Sequence, residues 1–315
     1  MVPGAENRVR NFPSLRDRPM TLLSNLPPQI ASFVVDVFRL AFWLVLLIAI
    51  FAPLERLFAQ RPSKFLRPQI GNDLAYYFLS SLVPGALMSV PLAVVAKLAQ
   101  KLLPAGFHDS VRGLPLWLGI SAGLIIADIG SYWGHRLSHE IRFLWRFHAI
   151  HHSAEHIDFL VNGRAHPIDM VVTRMSGLVP LYILGLGSAG LAGSMLPIVI
   201  TLIGTFLGFF LHANVRWRFG PLEWLVATPA FHHWHHSRAD HIDHNYAATF
   251  PWVDRMFGTF YLPGHFPADY GSQTPMPTTL TGQLLSPMES PVVVALRIKK
   301  ESEGLQARGP LCREL

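Results

Sequence analysis

Fourteen of the 16 histidines in this chain lie between His135 and His244, at spacings that a helix turns into clusters. In HRLSH, His135 and His139 stand four residues apart, about 40° of helical rotation, so both imidazoles reach one place. In WRFHAIHHS, His148, His151 and His152 occupy i, i+3 and i+4 of one stripe. TPAFHHWHHS repeats that arithmetic with His232, His235 and His236, while His233 points about 100° away. A single HxxxH reads as two surface histidines at a membrane boundary, but one HxxxH with two copies of HxxHH makes eight imidazoles of ligand quality. Four ligands satisfy one tetrahedral zinc, so the number implies two metals, each keeping a position free for exchange. Neutral imidazole suits iron, zinc and copper, whereas magnesium and calcium take oxygen ligands. His212, in LHAN, is a natural ninth ligand, and His166, in NGRAHP, is a candidate for a further ligand or a supporting group. Asp128, two turns before His135, is placed to accept a hydrogen bond from a ligand's second ring nitrogen. His108 and His265 read as ordinary surface residues, and His156, His241 and His244 as structural or solvent-facing ones. Glu140 and Glu155 flank the clusters without the paired Glu-x-x-His motifs of soluble di-iron bundles, so the site is imidazole-dominated.

Apolar helices must position these residues. Half of the chain is apolar, 15% is charged and the mean hydropathy is +0.32, which excludes disorder. Residues 31–52, 73–96 and 114–133 read as spans; the first gives roughly 33 Å of helix against a hydrocarbon core of about 30 Å. Residues 176–212 would make one helix of about 55 Å, too long for a span. Gly185, Gly187, Gly190 and Gly193 interrupt it, so it reads as a hairpin of two short helices. The expected fold is all-α: an integral membrane bundle of three spans plus a helical hairpin, with a cytoplasmic helical cap holding a His-rich di-metal site. The hairpin leaves 134–175 and 213–315 on one face with loop 53–72, whose Arg56, Arg61, Lys64 and Arg67 make that face cytoplasmic by the positive-inside rule. The N-terminus would then lie outside, against Arg8, Arg10, Arg16 and Arg18, unless the natural chain starts at Met20. The first apolar run begins too late and is too long for a cleavable signal peptide. The expected organisation is a tail over 1–30, a membrane-embedded di-metal domain over 31–270 and a loose C-terminal tail over 271–315, its last part a short basic helix or disorder. The one cysteine, Cys312, excludes a disulfide framework, a four-thiolate zinc site and a cysteine-ligated iron–sulfur cluster. The net charge of +6 fits loops at a lipid surface, and no motif favours nucleic acid.

HRLSH, HAIHH and HHWHH occur in that order, with Asp128 and Tyr132-Trp133 before the first, LHAN between the second and third, and NYAATFPWVDRMFGTFY after the third. Over about residues 73–261 this set resembles the fatty acid hydroxylase superfamily, also called the sterol desaturase family, of integral-membrane di-metal oxidases. The resemblance implies two irons on His135, His139, His148, His151, His152, His212, His232, His235 and His236, with zinc able to replace them on overexpression. It also implies that Asn245, Tyr246, Asp254 and Gly258 close over the site, with Asp128, Asn245 and Asp254 standing behind the ligands. The implied reaction is hydroxylation or desaturation of a C–H bond of a lipid (sterol, fatty-acyl or related) with O2 as co-substrate and external electrons. An unactivated C–H bond offers no acid–base handle, so the chemistry must come from an oxidising cofactor, with the protein supplying placement and exclusion of water. The sequence has no Rossmann glycine fingerprint, no cysteine ligation set and no haem-binding histidine pair, so a ferredoxin or cytochrome b5-type donor with its reductase is implied. Arg142, Arg146, Arg216, Arg218 and Arg238 offer a docking surface for an acidic carrier, or contacts to lipid headgroups. A zinc-dependent membrane hydrolase and a non-enzymatic metal transporter remain alternatives. The transporter needs ligands near the bilayer midplane, whereas these clusters flank the apolar runs.

Overall fold

A computed structural model describes residues 26–307 except 63, 65, 105, 187–194, 239 and 240, so Met20 and the N-terminal arginines lie outside the described residues. Helices α1 (Pro28–Phe58), α2 (Ile70–Leu102) and, after the short α3 (Phe107–Arg112), α4 (Leu116–Glu140) include the three long and apolar enough to cross a membrane: α1, α2 and α4. With the family described below, they make this an integral membrane protein. Each runs past its expected span, because a helix continues for as long as its backbone bonds propagate, whether or not the side chains stay apolar. In α4 the continuation carries HRLSH beyond the apolar run.

The described residues fall into two compact units, divided between Ile48 and Ala49. Within the first, Arg39 pairs with Asp36 at 3.0 Å, one helical turn apart. The remaining features belong to the second unit. There α4 leads into α5 (Arg142–His152), and the expected hairpin is α6 (Pro167–Ile183) and α7 (Met195–His212). Helix α6 starts earlier than expected because Pro167 suits a first helical position and His166 caps the helix, its Nδ1 accepting the Ile168 N–H at 3.1 Å. Gly185, at φ 77°, turns the chain after α6, while Gly187, Gly190 and Gly193 lie outside the described residues. Leu181, Leu186 and Ile200 then pack together against Val111, Ile120 and Leu124.

Helices α4 and α6 touch through small residues. A Cβ added at Gly130 would stand 2.2 Å from the Ser176 carbonyl oxygen, and one at Gly177 would stand 2.4 Å from Ser131 Oγ and 2.9 Å from the Ala127 carbonyl oxygen. Only glycine permits so close an approach, the small-residue packing that joins helices in bilayers.

The cap follows: α8 (Pro229–His235), α9 (Pro251–Phe257), α10 (Leu280–Leu285) and α11 (Pro291–Ala307), with 3-10 turns at Phe159–Gly163, Gly220–Trp224 and Ser286–Met288. Among the described residues there is no strand, only isolated bridges at Ala59–Val215 and Ser237–Tyr270. The expected loose tail needs correcting. Thr279 caps α10, Gln283 is fully buried and donates to the Pro277 carbonyl at 2.9 Å, and Glu301 of α11 accepts from the Thr278 and Thr279 hydroxyls at 2.9 and 2.6 Å. A buried charge network ties α2 to the cap: Asp73 accepts from Arg67 at 2.6 Å and Arg164 at 2.7 Å, and Arg67 also holds Asp158 at 2.5 Å. Arg164 and Asp73 are almost wholly inaccessible, a placement tolerable for charges only because each is paired.

Candidate metal centre

Three helix ends and one short helix bring nine imidazoles together in two groups. His135, His139, His148, His152 and His235 form one, and His151, His212, His232 and His236 the other; each group's donor atoms lie within 4.8 Å of one another. Helix α4 supplies His135 and His139, α5 supplies His148, His151 and His152, α7 ends on His212, and α8 supplies His232 and His235 with His236 just after it. Adjacent residues on a helix diverge by about 100°, so His151 and His152 enter different groups, as do His235 and His236.

In the four-histidine group, His212 Nε2 stands 3.2 Å from His151 Nε2, 3.0 Å from His232 Nε2 and 3.2 Å from His236 Nε2. One ring nitrogen carries at most one proton, so these atoms cannot all hydrogen-bond to each other. Nitrogens bound to one ion at about 2.1 Å stand about 3.0–3.4 Å apart, the separation found here. In the five-histidine group, His148 Nε2 lies 3.1 Å from the Nε2 atoms of both His135 and His152. His139 Nε2 and His235 Nε2 are buried there without a hydrogen-bond partner. Converging, otherwise unsatisfied neutral nitrogens fit a pair of imidazole-binding transition metals such as iron.

The opposite ring nitrogens are held from behind. His135 Nδ1 donates to the Tyr246 carbonyl at 2.9 Å, His151 Nδ1 to Arg164 at 3.0 Å, His212 Nδ1 to Gly208 at 2.8 Å and His235 Nδ1 to His244 at 2.8 Å. Two histidines of the five-membered group are backed by carboxylates instead: His148 by buried Asp169 at 3.0 Å, and His139 by Asp243 at 3.1 Å. These partners fix the tautomer that leaves Nε2 free to ligate. Burial, and after it the neighbouring imidazoles, hold His151, His152, His232, His235 and His236 well below the ordinary histidine value of 6.5, so these rings are neutral at pH 7.

Several expected residues stand elsewhere. His166 joins neither group; it caps α6, and its ring packs edge-on against Phe147. His233 is buried with Nδ1 at 2.9 Å from the Tyr270 hydroxyl and Nε2 at 3.1 Å from the Ala213 carbonyl, and burial then His212 push it down to about 3. Asp128 does not back a histidine. Its carboxylate accepts the backbone N–H groups of Ala248, Thr249 and Phe250 at 3.1, 2.8 and 2.8 Å, because the tail folds across α4 and presents three otherwise unbonded donors. Asp254 does the same for Tyr246 and Ala247 at 2.8 and 2.9 Å and also takes the Thr259 hydroxyl. Burial raises its carboxyl to about 6, opposed by those hydrogen bonds. Asn245, at φ 60°, donates to the Phe231 and Tyr261 carbonyls and accepts the Tyr261 N–H. Together Asp128, Asn245 and Asp254 hold the strap whose Tyr246 carbonyl meets His135. Of the five arginines expected to form a docking surface, Arg146 is bound to the Glu289 carbonyl, Arg218 to Glu223 and Arg238 to Glu155. Asp169 and Asp243 were not singled out by sequence. Asp169 stands 21 residues after the histidine it backs, and nothing in that spacing marks the pair, whereas Asp243 lies within the histidine-dense HIDHN.

The family model for fatty acid hydroxylases matches residues 120–259, the stretch that runs from the first turns of α4 through α9 and holds all nine clustered histidines. An ornithine lipid hydroxylase of Rhizobium tropici is 34% identical over 255 residues, covering 78% of this chain and 74% of that protein. The human alkylglycerol monooxygenase is 32% identical over 148 residues, 46% of this chain and 31% of that protein, so only under a third of the monooxygenase is matched. A methylsterol monooxygenase of Arabidopsis thaliana is 27% identical over 150 residues, 46% of this chain and 55% of that protein. No solved structure matches. The likeness along most of a hydroxylase, on a chain whose imidazoles meet in two groups, makes this protein an oxidoreductase that belongs to the fatty acid hydroxylase family.

Proposed function

We propose that this chain is a membrane-bound non-haem di-iron oxygenase that hydroxylates a C–H bond of a polar membrane lipid, using O2 and electrons from an external ferredoxin or cytochrome b5-type donor. The observation that carries the reading is the convergence of nine imidazoles into a group of five and a group of four. Each group would hold one iron through its Nε2 atoms. When bound, the iron pair supplies the O2 activation that an unactivated C–H bond requires.

The chain's own residues do the rest. Six Nδ1–H contacts to carbonyls or carboxylates across the two groups, at His135, His139, His148, His151, His212 and His235, keep protons on the outward side of the rings. The strap fixed by Asp128, Asn245 and Asp254 covers the site with buried Tyr246 and Ala247 and excludes water. Ligands at the ends of α4 and α7 put the reacting position beside the apolar bundle, where a lipid arrives by lateral movement in its leaflet. Relatives named as hydroxylase and monooxygenase support oxygen insertion over desaturation, and the basic segment 53–72, which includes the end of α1 and the start of α2, supports a cytoplasmic catalytic face.

Anaerobic purification, metal analysis and Mössbauer spectroscopy test the assignment. Two irons per chain with the spectrum of a coupled pair, and an oxygenated lipid missing from a strain that lacks the protein, are expected. Mononuclear zinc with full activity in the absence of oxygen would replace the oxygenase by a hydrolase.

A further inference from the structure

Between His212 and His232 the chain makes an excursion that holding a metal does not require. The two Nε2 atoms are 3.0 Å apart. Both roots of the intervening loop are pinned: Val215 bridges Ala59, the Arg216 N–H donates to the Phe58 carbonyl at 2.9 Å, and the Ala227 N–H donates to the Thr249 carbonyl at 2.9 Å. Val215 and Ala227 are buried, yet the residues between them turn apolar groups outward. Leu222 is 58% exposed, Trp224 56%, Leu225 59% and Val226 40%, and Met256 of α9 is 57% exposed. Arg255 joins the two segments, its guanidinium 3.3 Å from the Trp224 ring centre and 3.8 Å from that of Phe260. A loop with closed ends and an apolar tip is a contact surface, since nothing in such a tip supports a core of its own.

The surface around it indicates what covers the tip. Phe210 of α7 packs with Trp217 at 6.3 Å and with Phe219 at 6.2 Å, so the loop's rings extend the face of that helix. On α7 itself, which has no charged residue, Leu202 and Phe206 are about half exposed. The apolar face of an uncharged bundle helix therefore continues into the base of the loop that carries the apolar tip, so the phase that covers the helix reaches the loop. The charges agree. Glu223, the loop's one acid, is buried and neutralised by Arg218 at 3.1 Å and the Phe219 N–H at 3.0 Å, whereas Arg216 is exposed. Tryptophan and leucine at the tip with arginine at the base is the composition of an element lying in a membrane interface.

We propose that residues 216–226, with Met256, are an interfacial anchor that inserts into the leaflet facing the histidine site. Leu222, Trp224 and Leu225 lie at the boundary of headgroups and acyl chains, and Arg216 lies among the phosphates. The anchor ties both its flanking histidine segments to the bilayer surface from which the proposed lipid enters. It does not depend on which metal the site holds.

The test uses the full chain in phosphatidylcholine nanodiscs, with Cys312→Ser and a nitroxide label on Leu225→Cys. The comparison label sits on Glu155→Cys, an exposed cap residue. Oxygen concentrates in hydrocarbon and a nickel chelate stays in water. The label at 225 is expected to collide readily with oxygen and to lose most collisions with nickel, the reverse of the label at 155. Equal nickel access at the two positions overturns the anchor. Shielding from both reagents at 225 also overturns it, because it shows the tip covered by protein, such as a second copy. Both positions are exposed, so the labelled chains should keep the parent's helical circular dichroism, which confirms that the readout comes from folded protein.

Discussion

The groups behind the imidazoles differ between the two clusters. Asp169 and Asp243 put negative charge against His148 and His139 of the five-histidine group, whereas His151 and His212 of the other group meet only carbonyls, and His232 and His236 have no partner at Nδ1. A carboxylate makes an imidazole a stronger donor. The larger group is therefore expected to bind the tighter of two metals, and Asp169→Asn to weaken that step about 10- to 100-fold while sparing the other, as read by chelator competition. Asp243→Asn should weaken it less, because Asp243 is 71% exposed and its charge is screened by water. His232→Ala should lower the metal content from two ions per chain towards one. The depressed affinities for protons have a consequence for stability. His151, His152, His232, His235 and His236 stay neutral when folded but protonate near 6.5 when unfolded, so acid favours the unfolded chain. The metal-free protein should keep full stability above about pH 6.5 and lose it below, by roughly 1.4 kcal/mol per pH unit for each such ring, measured as a falling unfolding midpoint.

Among the helices, the contact between α4 and α6 sets the distance between His135 or His139 and the Asp169 that backs His148. Gly130→Ala would push a methyl to 2.2 Å from the Ser176 carbonyl oxygen, and a loss of about 1–3 kcal/mol is expected in thermal unfolding. Gly204→Ala, in α7 with nothing within 4 Å, should be neutral or slightly stabilising, which makes it the control. Spacing of 3.6 residues per turn revealed eight of the nine clustered histidines and the length of the apolar runs revealed the spans, because both are properties of one helix at a time. It could not reveal Asp128's partners, which lie 120 to 122 residues later, or the acid behind His148, since contacts between elements leave no period in the chain. Residues 271–290 misled for a different reason. Their proline, glycine, serine and threonine content resembles a linker, but Gln283 and the remote Glu301 supply specific bonds that fix it.

Taken as a whole, the molecule closes its two histidine groups with segments far apart in the chain: the first joins α4 and α5 to His235, the second joins His151 to α7 and α8. With no ion bound, these buried nitrogens have nothing to coordinate, so chelation is expected to lower the unfolding temperature of the full chain, and metal readdition to restore it. The same arrangement dictates an order of events at synthesis. When the spans have already been delivered to the bilayer, the ribosome has yet to make the last helix of the cage and the strap that Asp128 grips. A nascent chain can therefore sit inserted with both nests unfinished, the first lacking His235 and the second lacking His232 and His236, and maturation must wait for the segment from α8 to the strap.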